Sequence, residues 1–159
     1  MNMFSEGKFF NPTKGTLSME QVFEEIRIYT EEKQEKEYEI IVGCDSSSSL
    51  EPTFPLVVVV LRHGEGGRFF ILKVKYPEGR KFHGLHERIL QEVLLSCEFA
   101  SFLREHFGDK IQYIHADIGE HGPTRDMIRE ITGLIRGNGF EPVIKPDSFA
   151  ASSVADRFS

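Results

Sequence analysis

Between Tyr38 and Tyr76 the chain carries three runs rich in β-branched and aromatic residues: Tyr38 to Asp45, Phe54 to Arg62 and Arg68 to Tyr76. Only "HGEGG" separates the last two. Such runs read as strands, and connections this short join antiparallel neighbours, so a meander is expected. Downstream the pattern changes. Gly84 to about Phe107 reads as a long helix, Lys110 to Ile118 as a strand, and Pro123 to Arg136 as a helix that opens on proline and ends in "GNG". "EPVIK" is a short fifth strand, and the small residues from Ser148 to Asp156 suggest a last helix. Upstream, Ser18-Met19-Glu20-Gln21 has the form of a capping box. Val22, Phe23, Ile26 and Tyr29 follow at helical spacing, which predicts a first helix over roughly 19 to 35. The order after that helix is βββαβαβα. It predicts an α/β fold with a five-stranded mixed sheet, a three-strand meander and then αβαβα, with an added N-terminal helix.

A chain of 159 residues, 40% of them hydrophobic, suffices for one core. One domain over 1–159 is expected, with 1–37 as an N-terminal extension whose helix packs on it. The longest apolar run, "FPLVVVVL", is far short of a membrane span, and the opening residues carry Glu6 and Lys8 in place of an apolar signal segment. A soluble, cytoplasmic protein without a membrane partner is expected. Cys44 and Cys97 lack metal-type spacing and read as reduced core thiols.

The net charge of −6 argues against non-specific coating of nucleic acid, which requires the neutralisation of many phosphates. Charge is nevertheless segregated. The acid excess lies in the first forty residues, whereas Lys73 to Arg88 holds five Lys or Arg against two Glu. Lys73, Lys75, Arg80, Lys81 and Arg88 are therefore candidate nucleic-acid contacts. The structural alternative for this run is a solvated sheet edge, where lysine also discourages aggregation.

Four acids stand out by position. At about 100° per residue, Leu85, Phe99 and Leu103 lie within about 20° of Glu92 on the long helix, so Glu92 points into the apolar face. Glu87, Glu98 and Glu105 fall about 120 to 140° away in one solvated stripe. A buried carboxylate is costly unless it is paired, protonated or bound to a metal. Asp45 and Asp117 each close a predicted strand, where the chemistry of such sheets gathers. In "KIQYIHADIG", strict alternation puts Ile111, Tyr113, His115 and Asp117 on one face. Asp156 falls one helical step from Phe149, Ser152 and Ser153, among alanines and serines that suit close packing on a sheet.

Four acids at one sheet edge would not stay ionised together without a cation. Oxygen-only ligation suits Mg²⁺ or Mn²⁺. Zinc would call for His or Cys, and "HER" at His86 to Arg88 lacks the second histidine of a zinc-peptidase motif. Two such ions can activate a water and stabilise the leaving oxygen of a phosphodiester, which is a nuclease mechanism.

The βββαβαβα order, with Asp in "GCDSS", Glu in "LQEVLLS", Asp in "HADIG" and Asp in "SSVADR", resembles the ribonuclease H-like superfamily. More narrowly, "KFFNPTKGTLSMEQVFEEI", "LHERI", "HADIGEHGPTRDMIREIT" and "IKPDSFAASSVADRFS" resemble the bacterial YkuK-like group of predicted ribonuclease H-related nucleases. The resemblance implies a nuclease acting on RNA, RNA–DNA hybrid or structured DNA. Asp45 would bridge two metals, Glu92 and Asp117 would complete the shell of one, and Asp156 would hold the other. Two departures stand out: a serine follows Asp45 where many relatives have glycine, and no histidine lies between the fifth strand and the last helix.

Each acid also has a purely structural reading. Asp45 could form the turn before the serines, Glu92 could pair with a core Arg or Lys, Asp117 could cap the next turn, and Asp156 could be solvated. The alternative function is a catalytically weak or inactive domain of the same fold that binds nucleic acid or protein. Ser46 to Ser49 form no nucleophile elbow, so serine chemistry is not expected.

Overall fold

The meander sits at the centre of the sheet. In a computed structural model, which describes residues 2–158, strand β3 (Tyr38–Cys44) pairs antiparallel with β4 (Phe54–Arg62), and β4 pairs antiparallel with β5 (Gly66–Val74). Helix α2 (Gly84–Phe107) returns the chain so that β6 (Ile111–His115) lies parallel to β3, and helix α3 (Ile128–Gly137) does the same for β7 (Glu141–Val143) against β6. These are the five expected strands.

The sheet has seven. Lys8–Asn11 and Gly15–Ser18 form an antiparallel hairpin, β1 and β2, and β1 adds to the outer side of β5, giving the order β2-β1-β5-β4-β3-β6-β7. Each new strand is four residues long, too short for alternation to register in the sequence. Tertiary contact stabilises them: Phe9 is fully buried, and Asn11 organises the turn by accepting from the N–H groups of Thr13 and Lys14 while donating to the carbonyl of Phe69. This corrects the edge reading for Lys73, because β5 is an inner strand that pairs with β1.

Helix α1 (Met19–Glu32) starts with the expected capping box between Ser18 and Gln21 and buries Met19, Val22, Ile26 and Tyr29. It stops three residues before the expected end. Its last turn is acidic, with no basic residue to complement the negative end of the helix dipole. Buried Arg62 ties it to β4, donating from Nη2 to the carbonyl of Tyr29 at 2.9 Å and lying 3.9 Å from that ring's centre. The main core packs residues of all three helices against one sheet face. A smaller cluster on the other face, including Ile41, Val57, Val59 and Ile71, is covered by the C-terminal segment.

That segment is a wide, π-type turn over Ala150–Ala155 followed by a 3₁₀ turn over Asp156–Phe158. It approaches β3 so closely that a Cβ on Gly43 would stand 2.8 Å from the backbone nitrogen of Ala151. Strand β6 departs from strict alternation. Its register against β3 shifts between Ile40 and Ile41, so Ile111 joins Ile114 in the main core while Tyr113 packs on the opposite face. No helix among the described residues is long and apolar enough to cross a membrane.

Candidate functional site

The carboxyl ends of β3, β6 and β7 lie side by side, because the three strands are parallel neighbours. A cleft of about 260 Å³ opens there, and Asp45, Glu92, Asp117 and Asp156 all line it. Asp45 follows the last residue of β3, its N–H still donating to the Pro55 carbonyl at 3.2 Å. Asp117 stands two residues beyond β6, not at its last position, because pairing with β7 ends at His115. Glu92 projects from the inner face of α2, 3% exposed. Asp156 is exposed at the rim, where the C-terminal segment changes from π-type to 3₁₀ geometry.

Burial dominates the electrostatics. It pushes the Asp45 carboxyl up to about 7; the Ser46 N–H opposes the shift, and a hydrogen bond with the Asp156 carboxyl and the charge of Asp117 add to it. Burial likewise raises Glu92 well above the usual carboxylate range; Asp45 and Asp117 add to that, while the Ser46 hydroxyl and the Arg88 charge oppose it. The Ser46 hydroxyl donates to Glu92 Oε2 at 2.5 Å, and no ion pair holds Glu92 among the described residues. The core arginine pairing is thus not what places this acid. Asp117 Oδ1 accepts from Ser152 Oγ at 2.9 Å and faces Lys145 Nζ at 3.1 Å.

These partners decide how the acids stand. Among the described residues no three His, Cys, Asp or Glu side chains are grouped so as to hold a metal ion, with Glu92 turned to Ser46 and Asp117 to Ser152 and Lys145. The four acids nevertheless offer what a hard divalent ion takes: oxygen donors, with two buried carboxyls whose ionisation a cation would favour.

Of the basic candidates, Arg88 lines the cleft with the acids. Lys73 lies on β5, Lys75 just past it, and Arg80 and Lys81 in the connection to α2, where the Arg80 guanidinium covers the Phe82 ring at 4.2 Å. Sequence reasoning passed over Lys145, Ser46, Ser152, Thr124 and His121, which touch or line the same place. Lys145 was within reach, since it closes the expected strand "EPVIK" as Asp45 closes the first strand of the expected meander. Thr124, and not Asp117, organises the loop after β6, its hydroxyl accepting from the Gly119 N–H at 3.0 Å. His121 and Ser152 carry no signal of their own.

The ribonuclease H-like family model matches residues 21–159, which takes in all four acids and both parallel crossovers. The chain belongs to the ribonuclease H-like family. Members of this superfamily often use divalent metals. The match begins inside α1, so the β1–β2 hairpin lies outside the residues that the family model matches. The chain is also 29% identical to the uncharacterized protein YkuK of Bacillus subtilis (strain 168), over 95% of this chain and 96% of that protein. No solved structure matches it.

Proposed function

We propose that this ribonuclease H-like protein is a divalent-metal-dependent nuclease that hydrolyses phosphodiester bonds of RNA, RNA–DNA hybrid or structured DNA. The observation that carries the reading is that four acids from four separate segments line one cleft at the carboxyl ends of parallel strands. Asp45, Glu92, Asp117 and Asp156 are the residues that would hold Mg²⁺ or Mn²⁺. Bound there, the metal would supply a nucleophilic water and stabilise charge on the leaving oxygen. Asp45 is central to the set, with Asp156 and Asp117 both adding to the rise of its carboxyl. Ser46 orients Glu92, and Ser152 orients Asp117. Arg88, which lines the cleft, would meet a phosphate there, and the exposed Lys73, Lys75, Arg80 and Lys81 would contact the nucleic acid outside it.

Purified protein with Mn²⁺ or Mg²⁺, incubated with labelled RNA, hybrid, duplex and branched DNA, tests the proposal. Cleavage of at least one substrate that disappears on adding EDTA and in Asp45→Asn is the expected result. Absence of cleavage, or cleavage unaffected by Asp45→Asn, refutes it.

A second reading rests on the pairing of Lys145 with Asp117, a lysine on one of the proposed ligands. On that reading the protein is a non-catalytic domain of the same fold that binds nucleic acid or protein. Calorimetry that finds no Mn²⁺ binding, together with retained oligonucleotide binding, would select it.

A further inference from the structure

The β1–β2 hairpin, which precedes the residues matched by the family model, brings two lysines together. The antiparallel register of β1 and β5, Phe9 opposite Leu72 and Phe10 opposite Ile71, continues to place Lys8 beside Lys73. Like charges directly across a strand pair are destabilising, so an anion bound between them would relieve the repulsion. The protein supplies none among the described residues: its lysine ion pairs involve Lys14, Lys33, Lys36 and Lys145. Both lysines instead flank a shallow groove of about 370 Å³ whose remaining walls are Phe10, Ile71 and Phe158. Phe10 is 42% exposed and tilts toward Phe158, ring centres 6.0 Å apart. One exposed and one half-buried aromatic ring, lining a groove with two ammonium groups that have no ion pair among the described residues, match a base with its flanking phosphates.

The groove is aligned with the acids. Asp45 bonds across to Pro55, Pro55 pairs with Lys73, and Lys73 lies beside Lys8, so one row crosses the sheet from the candidate catalytic aspartate to the lysine pair. At about 4.8 Å per strand, Lys73 stands about 10 Å and Lys8 about 14 Å from Asp45. The C-terminal segment spans the same interval, with Asp156 at the cleft and Phe158 in the groove.

We infer that Lys8, Phe10, Lys73 and Phe158 form a binding platform for single-stranded nucleic acid, which seats an unpaired base on the phenylalanines and phosphates on the lysines, beside the cleft. The inference rests on the nuclease reading for its purpose and adds the substrate class: a strand unpaired next to the cleaved bond. Aromatic stacking supplies affinity without sequence preference, and the lysines make binding salt-dependent.

The test uses the full chain in EDTA, so that binding is measured without cleavage, with fluorescent single-stranded RNA, single-stranded DNA and duplexes of each followed by anisotropy. Single strands of one or both kinds are expected to bind more tightly than the duplexes. Phe10→Ala is expected to weaken single-strand binding about 10-fold. Lys8→Glu with Lys73→Glu is expected to weaken it further and to lower the slope of log affinity against log salt by about 1 to 2. All three side chains are exposed, and circular dichroism would verify the fold of each variant. Single-strand binding that neither variant alters overturns the platform, even if Mn²⁺-dependent cleavage is found. Binding that both variants weaken, in a protein that cleaves nothing, upholds the platform and ends the nuclease reading. Absence of any oligonucleotide binding, with self-association that Phe10→Ala abolishes, assigns the groove to a second copy of the chain and overturns the inference.

Discussion

Lys145 Nζ stands 3.1 Å from Asp117 Oδ1, and Gly119 makes that approach possible: a Cβ at Gly119 would meet the Lys145 Cβ at 3.0 Å. The Lys145 N–H also donates to the Ile118 carbonyl at 2.8 Å, so the backbone holds this ammonium over the segment after β6. Lys145 therefore opposes any other cation at Asp117. Both groups are partly exposed, and such a pair contributes about 0.2–1 kcal/mol. Lys145→Met is expected to tighten Mn²⁺ binding by about 1.4- to fivefold in calorimetry. Unchanged or weaker binding would show that the lysine does not compete.

Glu92 costs stability where it stands, since burial disfavours its charge and one serine hydroxyl is its hydrogen-bond donor. Glu92→Gln keeps the shape and removes the charge. Thermal unfolding at pH 8 is expected to show an equal or higher Tm, by up to about 3 °C. Metal-dependent cleavage is expected to fall about 100-fold or more. A clear drop in Tm would make Glu92 a structural residue.

Gly43 sets how closely the C-terminal segment lies on β3, because an added Cβ would meet backbone atoms of Ala150 and Ala151 at 2.9 Å and 2.8 Å. Backbone cannot swing aside as a side chain can. Gly43→Ala is expected to cost about 1–3 kcal/mol in urea denaturation. Gly133→Ala, in α3 with open space around it, is the control and is expected to stabilise by about 0.5–1 kcal/mol. Similar effects from the two would mean that the segment does not seat on Gly43.

Burial pushes the Cys97 thiol up to about 11 and raises that of Cys44 well above its usual value. A thiol reacts as its thiolate, so neither cysteine should react with Ellman's reagent at pH 8 until denaturant is added. The unfolded chain releases the Cys97 proton near 9 and the folded chain near 11. Between those values the unfolded state binds fewer protons, and stability falls as pH rises. Cys97→Ala should remove that part of the alkaline destabilisation; a native protein that labels rapidly at pH 8 would contradict the burial argument.

The sequence by itself determined the elements with strong periodic or capping signals: α1 from its capping box, α2 from Gly84 to Phe107, the meander, and the strand–helix alternation that makes β3, β6 and β7 parallel. Glu92 was legible because a carboxylate on an apolar helical face breaks a pattern, and Asp45 and Asp117 because strand ends define an edge. Only the tertiary structure decided the β1–β2 hairpin, whose four-residue strands depend on β5 for pairing and burial, and the irregular register of β6, which rests on pairing with β3. It also decided which groups meet the acids. Ser46, Ser152 and Lys145 come from three separate segments, and hydroxyls and ammonium groups have no periodicity to betray their partners. Local sequence encodes which residues turn inward along one element; contact between elements depends on register and crossover, which arise only once the sheet is assembled.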